Sequence, residues 1–333
     1  MRKDGPDVKN VISLRCGHVF HVGCIWRWIR ARRELNRALE CPNCRSQTGI
    51  SNEVLEDLGM AMRPPLTNGT IRNAVAEALT AGGPEYVSQN HGPIAGWDVS
   101  AVTDMRHMFY GATAFNGDLS GWDVRSVTDM YEMFREAAGF NGNLSGWDVS
   151  SVRNTCSMFM GARAFNGDLS GWDVHNVTDM SFMFHGATAV NGNLGGWDVH
   201  NVTNMSFMFH GATAVNGYLG GWDVHNVTDM EHMFHGATAF NGDLSGWDVS
   251  NVRDMSYMFH GAAAFNGDLG GWNVSNVRDM SDMFHGAAAF NGDLSRWDVS
   301  NLTSSTTRVG MFRNAVAYQP ARAIGSVAAV ERA

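Results

Sequence analysis

The sequence WDVHNVTDMSFMFHGATAVNGNLGG at residues 172–196 is followed directly by WDVHNVTNMSFMFHGATAVNGYLGG at residues 197–221. The two copies differ only at Asp179/Asn204 and Asn193/Tyr218. The leading tryptophan recurs every 25 residues, at Trp97, Trp122, Trp147, Trp172, Trp197, Trp222, Trp247, Trp272 and Trp297. A fixed period of this length indicates a tandem array in which neighbouring units bury each other's apolar faces.

Each unit contains a short apolar stretch interrupted by one carboxylate. Leu119, Trp122, Val124 and Val127 have the spacing of a leucine-rich repeat. Trp122 and Val124 would lie on one side of a strand, and Asp123 on the other. The pattern therefore predicts a short parallel strand in each repeat.

The second half of the unit predicts a short helical turn. Met130, Met133 and Phe134 are spaced to lie on one face of that turn, and the pair at 128–129 can cap its start. We expect Phe115 to plug the return to the next strand. Ladders of tryptophan, methionine and phenylalanine would then form the core.

The unit resembles the BspA-type repeats of bacterial surface proteins through its Trp-Asp-Val, Met-Phe and Phe-Asn elements. The expected fold class is an α/β repeat solenoid, leucine-rich-repeat-like, with about nine repeats and short parallel strands. We divide this part of the chain into a helical cap at 67–96, repeats at 97–312 and a loose tail at 313–333. The cap has an apolar helical stripe, consisting of Ile71, Ala74, Val75, Ala78 and Leu79.

A different pattern occupies residues 1–45, where four of the five cysteines of the chain are found. The candidate metal ligands are Cys16, His18, His21, Cys24, Cys41 and Cys44. Short Cys/His pairs separated by a longer loop suit tetrahedral zinc, because two pairs complete one site. Six candidates therefore fill one site and leave two ligands over. Residues 46–66 are interpreted as a linker.

Residues 12–45 resemble a RING finger of the two-histidine variant. The resemblance also includes Ile25, Trp28, Pro42 and Arg45. The cross-braced zinc arrangement of that family implies one complete site, formed by Cys16, His18, Cys41 and Cys44. His21 and Cys24 would belong to a second site, whose upstream cysteine pair is absent from residues 1–15. Either the finger is incomplete or the sequence begins too late.

The resemblance implies a ubiquitin ligase that docks a ubiquitin-conjugating enzyme and forms no covalent intermediate. Ile25, Trp28 and Pro42 match the docking surface, and Arg45 matches the position that hydrogen-bonds across the enzyme and ubiquitin. Trp28 also fits a core position on a short helix with Ile25 and Ile29. The two roles are compatible.

The residue after each tryptophan forms an acidic column. Its members are Asp98, Asp123, Asp148, Asp173, Asp198, Asp223, Asp248 and Asp298. One interpretation is structural, with each carboxylate accepting hydrogen bonds in an Asx-type turn. The other is a partner-binding strip for a basic protein or cations.

Histidines also recur at the repeat period. One column contains His185, His210, His235, His260 and His285, and another contains His175, His200 and His225. A single row of imidazoles offers no tetrahedral enclosure, so we expect a solvated face without metal. Cys156 is expected to be an exposed thiol.

Charge divides the chain as the motifs do. Residues 1–45 hold ten Lys and Arg against four Asp and Glu, whereas residues 46–333 hold fourteen against twenty-nine. An acidic array argues against nucleic acid as its main partner. The sequence lacks a secretory signal and a long apolar segment, which predicts a cytoplasmic or nuclear protein without a membrane partner.

The leading functional hypothesis is a zinc-binding RING-type ubiquitin ligase whose solenoid binds a protein substrate or partner. The alternative is a non-enzymatic repeat scaffold that carries a degenerate zinc finger.

Overall fold

The computed structural model describes residues 11–13, 19–21, 65–81, 86–88, 91–302 and 310–319. The chain divides into two compact units, Met1–Ala101 and Val102–Ala333. The first unit contains β1 (Val11–Ser13), β2 (Val19–His21), α1 (Ile71–Ala81), β3 (Val87–Ser88), β4 (Gly92–Pro93) and a 3-10 turn at Ile94–Gly96. Strands β1 and β2 pair antiparallel, and so do β3 and β4.

Helix α1 buries the stripe that the sequence predicts. Ile71, Ala74, Val75 and Ala78 are buried, and Leu79 at the edge of the stripe is half-buried. The Thr67 carbonyl accepts the Ile71 N–H at 3.0 Å, which satisfies one of the free donors at the start of the helix. Helix α1 packs on β3 in this unit.

Consecutive repeats of the second unit pair with one another in parallel. The pairing takes the form of isolated bridges through Asp104, Asp129, Asn154, Asp179, Asn204, Asp229, Asp254 and Asp279. Alternate N–H groups then donate to the next repeat, as from Phe134 to the Met158 carbonyl at 2.8 Å. The intervening groups close local turns, as from Met133 to the Met130 carbonyl at 3.1 Å. Backbone donors are thereby satisfied without regular strands.

The described residues 102–302 contain no helix, so the helical turn predicted at Met130–Phe134 is not formed. Glu132 has φ 54°, and the corresponding residue of each neighbouring repeat also has a positive φ. A left-handed residue at this position stops a right-handed helix. Trp122 and Val124 are buried around the half-buried Asp123 as predicted, but the parallel pairing lies at Asp129. The leucine-rich-repeat-like solenoid stays a prediction.

The core consists of ring and thioether columns that run from repeat to repeat. Trp147 and Trp172 stack at 6.5 Å between centroids, and Phe134 and Phe159 stack at 5.5 Å. The Trp147 Nε1 atom donates to the Leu119 carbonyl at 3.0 Å, so the buried indole has its hydrogen-bond partner in the preceding repeat. The same bond recurs at each tryptophan from Trp172 to Trp297. Phe115 is buried as predicted.

The packing continues beyond the predicted end of the array. Tyr318 stacks on Phe312 at 3.9 Å, which repeats the Phe284–Phe290 stack at 4.0 Å. The Ala315 N–H also donates to the Phe312 carbonyl at 3.0 Å. The described residues up to 319 therefore extend the repeat packing, whereas the sequence predicted a loose tail from 313.

Candidate functional site

The predicted zinc finger lies almost entirely outside the described residues. This applies to Cys16, His18, Cys24, Cys41 and Cys44, and to the docking positions Ile25, Trp28, Pro42 and Arg45. His21 is the last residue of β2, and its backbone lies opposite Val11. In the sequence, Cys16 and His18 fall between the two paired strands. The ligand and docking assignments stay predictions.

The predicted acidic column makes the local hydrogen bonds of Asx-type turns. Asp148 Oδ1 accepts the Ser150 N–H at 3.1 Å and the Ser150 hydroxyl at 2.6 Å. These bonds hold the pKa of Asp148 below its ordinary value. Asn273, which replaces aspartate in one repeat, accepts the corresponding bonds from Ser275 at 3.2 and 2.8 Å. The turn therefore needs the side-chain oxygen and not the negative charge.

In three consecutive repeats the aspartate is paired with a histidine. His175 Nδ1 lies 2.7 Å from Asp173 Oδ1, and the distances at His200 and His225 are the same. The bond from His200 is the main cause that lowers the pKa of Asp198. Both side chains of the Asp173 pair are exposed, at 56% for Asp173 and 40% for His175. This surface thus presents carboxylates alongside imidazoles.

A second acidic column, at the bridge positions, was not singled out from the sequence. Burial raises the pKa of Asp229, and the nearby Asp254 raises it further. Asn154 and Asn204 occupy the same position in two repeats and interrupt the run of carboxylates. The sequence signal was the Thr-Asp pair, which we interpreted as a helix cap.

The longer histidine column was predicted to be a solvated face, and the structure shows that this prediction is wrong. Neighbouring rings lie 4.3 to 4.5 Å apart between centroids, from His185 through His285. The Nδ1 atoms of His185, His210 and His260 are buried without a hydrogen-bond partner. Burial lowers the pKa of His185 to about 4 and that of His235 to about 3. The lowered pKa values favour the neutral form of His185 and His235 at pH 7.

One residue brings a third imidazole to this column. His232 lies beside His210 and His235, and one ring nitrogen from each residue lies within 4.8 Å of the other two. Among the described residues, no other group of three metal-binding side chains has its ligand atoms within this distance of one another. Sequence reasoning missed His232 because it does not belong to either column. The spacing His232-x-x-His235 was the available signal.

Cys156 is half-buried, so its predicted exposure is also wrong. Its Sγ lies 3.2 Å from the Ser181 hydroxyl, and burial raises the pKa of the thiol. A raised pKa keeps the thiol protonated at neutral pH and makes it a poor metal ligand.

These features define a protein of tandem 25-residue repeats, preceded by a Cys/His-rich segment. The family model described as "Mycoplasma protein of unknown function, DUF285" matches residues 84–197, 146–225, 168–250 and 215–324, and the chain belongs to that family. The model described as "Ring finger domain" matches residues 5–45. No curated protein matched the chain. The likeness to BspA-type repeats and the incompleteness of the finger stay predictions.

The Ring finger match supports zinc binding in residues 5–45, since such fingers are built around structural zinc. The described part of the chain has no helix with the length and apolar character needed to span a bilayer.

Proposed function

We propose that the chain is a RING-type zinc protein that promotes ubiquitin transfer to a protein bound by its repeats. The observation that carries the proposal is the Ring finger match over residues 5–45, which includes all six candidate zinc ligands. The antiparallel pairing of β1 and β2 is compatible with it, since Cys16 and His18 lie between these two strands in the sequence. Zinc would hold the finger together, and the finger itself would position the conjugating enzyme.

The repeats supply the binding surface in this proposal, as a leucine-rich-repeat-like solenoid. Asp148, Asp173 and Asp248 form their turn bonds through Oδ1. Their Oδ2 atoms have no hydrogen-bond partner among the described residues. A row of such oxygens favours a basic segment of a protein partner, through contacts that weaken as salt increases.

Zinc analysis tests the metal part of the proposal. We expect the purified chain to retain zinc through its cysteines, and the variant Cys41→Ser to lose it. Cys156→Ser is the matched control, because Cys156 lies far from the finger in sequence and has a raised pKa. Equal zinc content in the wild type and Cys41→Ser would contradict the ligand assignment.

A ubiquitin-chain assay with a panel of conjugating enzymes tests the transfer activity. We expect chains with the wild type and with Cys156→Ser, and a large loss with Trp28→Ala or Cys41→Ser. Trp28→Ala should still retain zinc, which separates enzyme docking from folding of the finger. A zinc-loaded protein that is inactive with every enzyme would favour the alternative, a non-enzymatic scaffold.

Replacing Asp173, Asp198 and Asp223 with asparagine tests the acidic surface. The turns should persist, because Asn273 forms the same turn. We expect the triple variant to bind an oligo-arginine probe more weakly at low salt, with an unchanged melting temperature. If binding is unchanged, the column has only a structural role.

A further inference from the structure

Two columns of rings lie side by side over several repeats. The first is the histidine column, which contributes His210 and His235. The second contains the left-handed residues, in which Phe207, His232 and Tyr257 are stacked. Among the described repeats that carry the histidine column, the second column has an imidazole only at His232. This ring lies beside two imidazoles of the first column, His210 and His235.

The three imidazoles lie close enough to one another to share one metal ion. The Nδ1 atoms of His232 and His235 are 2.9 Å apart, and one nitrogen from each of the three rings lies within 4.8 Å of the others. Two nitrogens bound to one tetrahedral zinc are about 3.3 Å apart, as follows from zinc–nitrogen bonds near 2.05 Å. Small ring rotations would bring the three nitrogens to that separation.

The surrounding structure holds these rings in place. His232 is sandwiched between Phe207 and Tyr257, with centroid distances of 4.4 and 4.5 Å. The His235 N–H donates to the His232 carbonyl at 3.1 Å. The His235 carbonyl accepts the Gly211 N–H at 2.7 Å, and this bond fixes the position of His235 relative to His210. A ligand set held in this way loses little conformational entropy when a metal binds.

An unpartnered ring nitrogen and a nearby carboxylate also suit a metal ion. The Nδ1 atom of His210 is buried without a partner. Glu231 Oε1 lies 3.5 Å from His232 Nε2, so a modest side-chain shift would let it accept the hydrogen bond that orients a metal-binding histidine.

We propose that His210, His232 and His235 bind a divalent transition-metal ion such as zinc, nickel or cobalt, with Glu231 as the orienting carboxylate. The three imidazoles leave one tetrahedral position for water or a ligand from a partner. None of these residues is a candidate ligand of the finger.

Cobalt titration of the full chain tests the site. We expect wild type to bind about one more ion per chain than His232→Phe, because three imidazoles complete one site. Phenylalanine is the natural residue at 207, so this variant keeps the ring stack and should remain folded. The additional cobalt should lack the thiolate-to-metal absorption that cysteine ligands give. The same difference is expected in a Cys41→Ser background, so failure of the finger and failure of this site are distinguishable.

Three further variants sharpen the test. Glu231→Gln should weaken binding by about tenfold, the usual effect of losing an orienting carboxylate. His200→Ser, which changes the exposed column, should bind as wild type does. Phe207→His places a third imidazole beside His185 and His210 and should add a second, weaker site, because Ser206 replaces Glu231 there. Equal cobalt binding by wild type and His232→Phe would overturn the proposal.

Discussion

The repeats have inner columns, such as the buried tryptophans, and outer columns, such as the histidines. The two kinds of column differ in how much their residue types vary from repeat to repeat. The inner tryptophan is the same in all nine repeats, whereas the outer position of the histidine column also holds Tyr110, Arg135 and Met160. Inner side chains are close-packed, so a change of volume is felt by both neighbouring repeats. Outer side chains have solvent on one side. New chemistry can therefore arise in the outer columns without altering the fold, as His232 illustrates.

The largest effect should follow from breaking an inner column. Trp222→Ala removes a stacked ring and an indole that donates to the Leu194 carbonyl at 2.9 Å. We expect a loss of about 3–5 kcal/mol in the free energy of unfolding, typical of a large cavity. Denaturant titration measures it, and His200→Ala in an outer column should cost below about 0.5 kcal/mol. Comparable losses for the two variants would contradict the distinction.

The pH dependence of stability should follow from the half-buried histidines. The pKa of His185 falls from 6.5 to about 4 on folding because of burial. Between these values the unfolded chain binds more protons, so the free energy of unfolding decreases as the pH falls from about 6.5 to about 4. One such group contributes at most about 1.4 kcal/mol per pH unit.

Denaturant titrations at several pH values, with a chelator present, measure this dependence. His185→Met should reduce it, because methionine does not titrate and already occupies the same position as Met160. An identical pH slope in the variant and the wild type would count against a half-buried, neutral His185.

A smaller gain is expected from repairing one inner column. Thr155 is buried where the neighbouring repeats have Met130 and Met180, and its hydroxyl lies 3.3 Å from the Asp179 carbonyl. Thr155→Met should stabilise by about 1 kcal/mol, because filling packing space outweighs the loss of a long hydrogen bond. Thermal unfolding measures the change. Thr155→Ser is the control and should destabilise. A lower melting temperature for Thr155→Met would refute the assigned register.

The smallest effect concerns backbone strain in an outer position. Glu136 is exposed and has φ 59°, where the corresponding Gly161 has φ 71°. Glu136→Gly should stabilise by up to about 1 kcal/mol, because glycine adopts the left-handed region without a steric penalty. Glu136→Ala keeps the strain and should give no gain in melting temperature. Equal effects of the two substitutions would show that the carboxylate, and not the backbone, is responsible.

The sequence predicted the inner columns well because burial depends on residue type at a fixed interval. Trp122, Val124 and Phe115 are buried as expected. The helical turn was predicted wrongly because Met130, Met133 and Phe134 have a spacing that suits both a helix and the observed turn. The positive φ of Glu132 decides between the two conformations. The local preferences of glutamate do not indicate a positive φ. Hydrogen bonds to the next repeat hold that residue in its conformation.

The candidate metal site required distances between residues that the repeat period alone does not give. The period places His210 and His235 in one column, and the sequence shows that His232 is nearby along the chain. The three imidazoles lie close together because of the turn between Met230 and His235 and because of the position of this repeat relative to the repeat that contains His210.

The sequence by itself determined the 25-residue period, the residues of the core and the Cys/His spacing that the Ring finger match supports. These features are set by the kinds of side chain and the intervals between them. Only the tertiary structure decided where the parallel pairing falls, how deeply the histidine column is buried and which three imidazoles converge. The physical reason is that neighbouring repeats satisfy each other's backbone hydrogen bonds, and this cooperation fixes conformations that one repeat alone would not adopt.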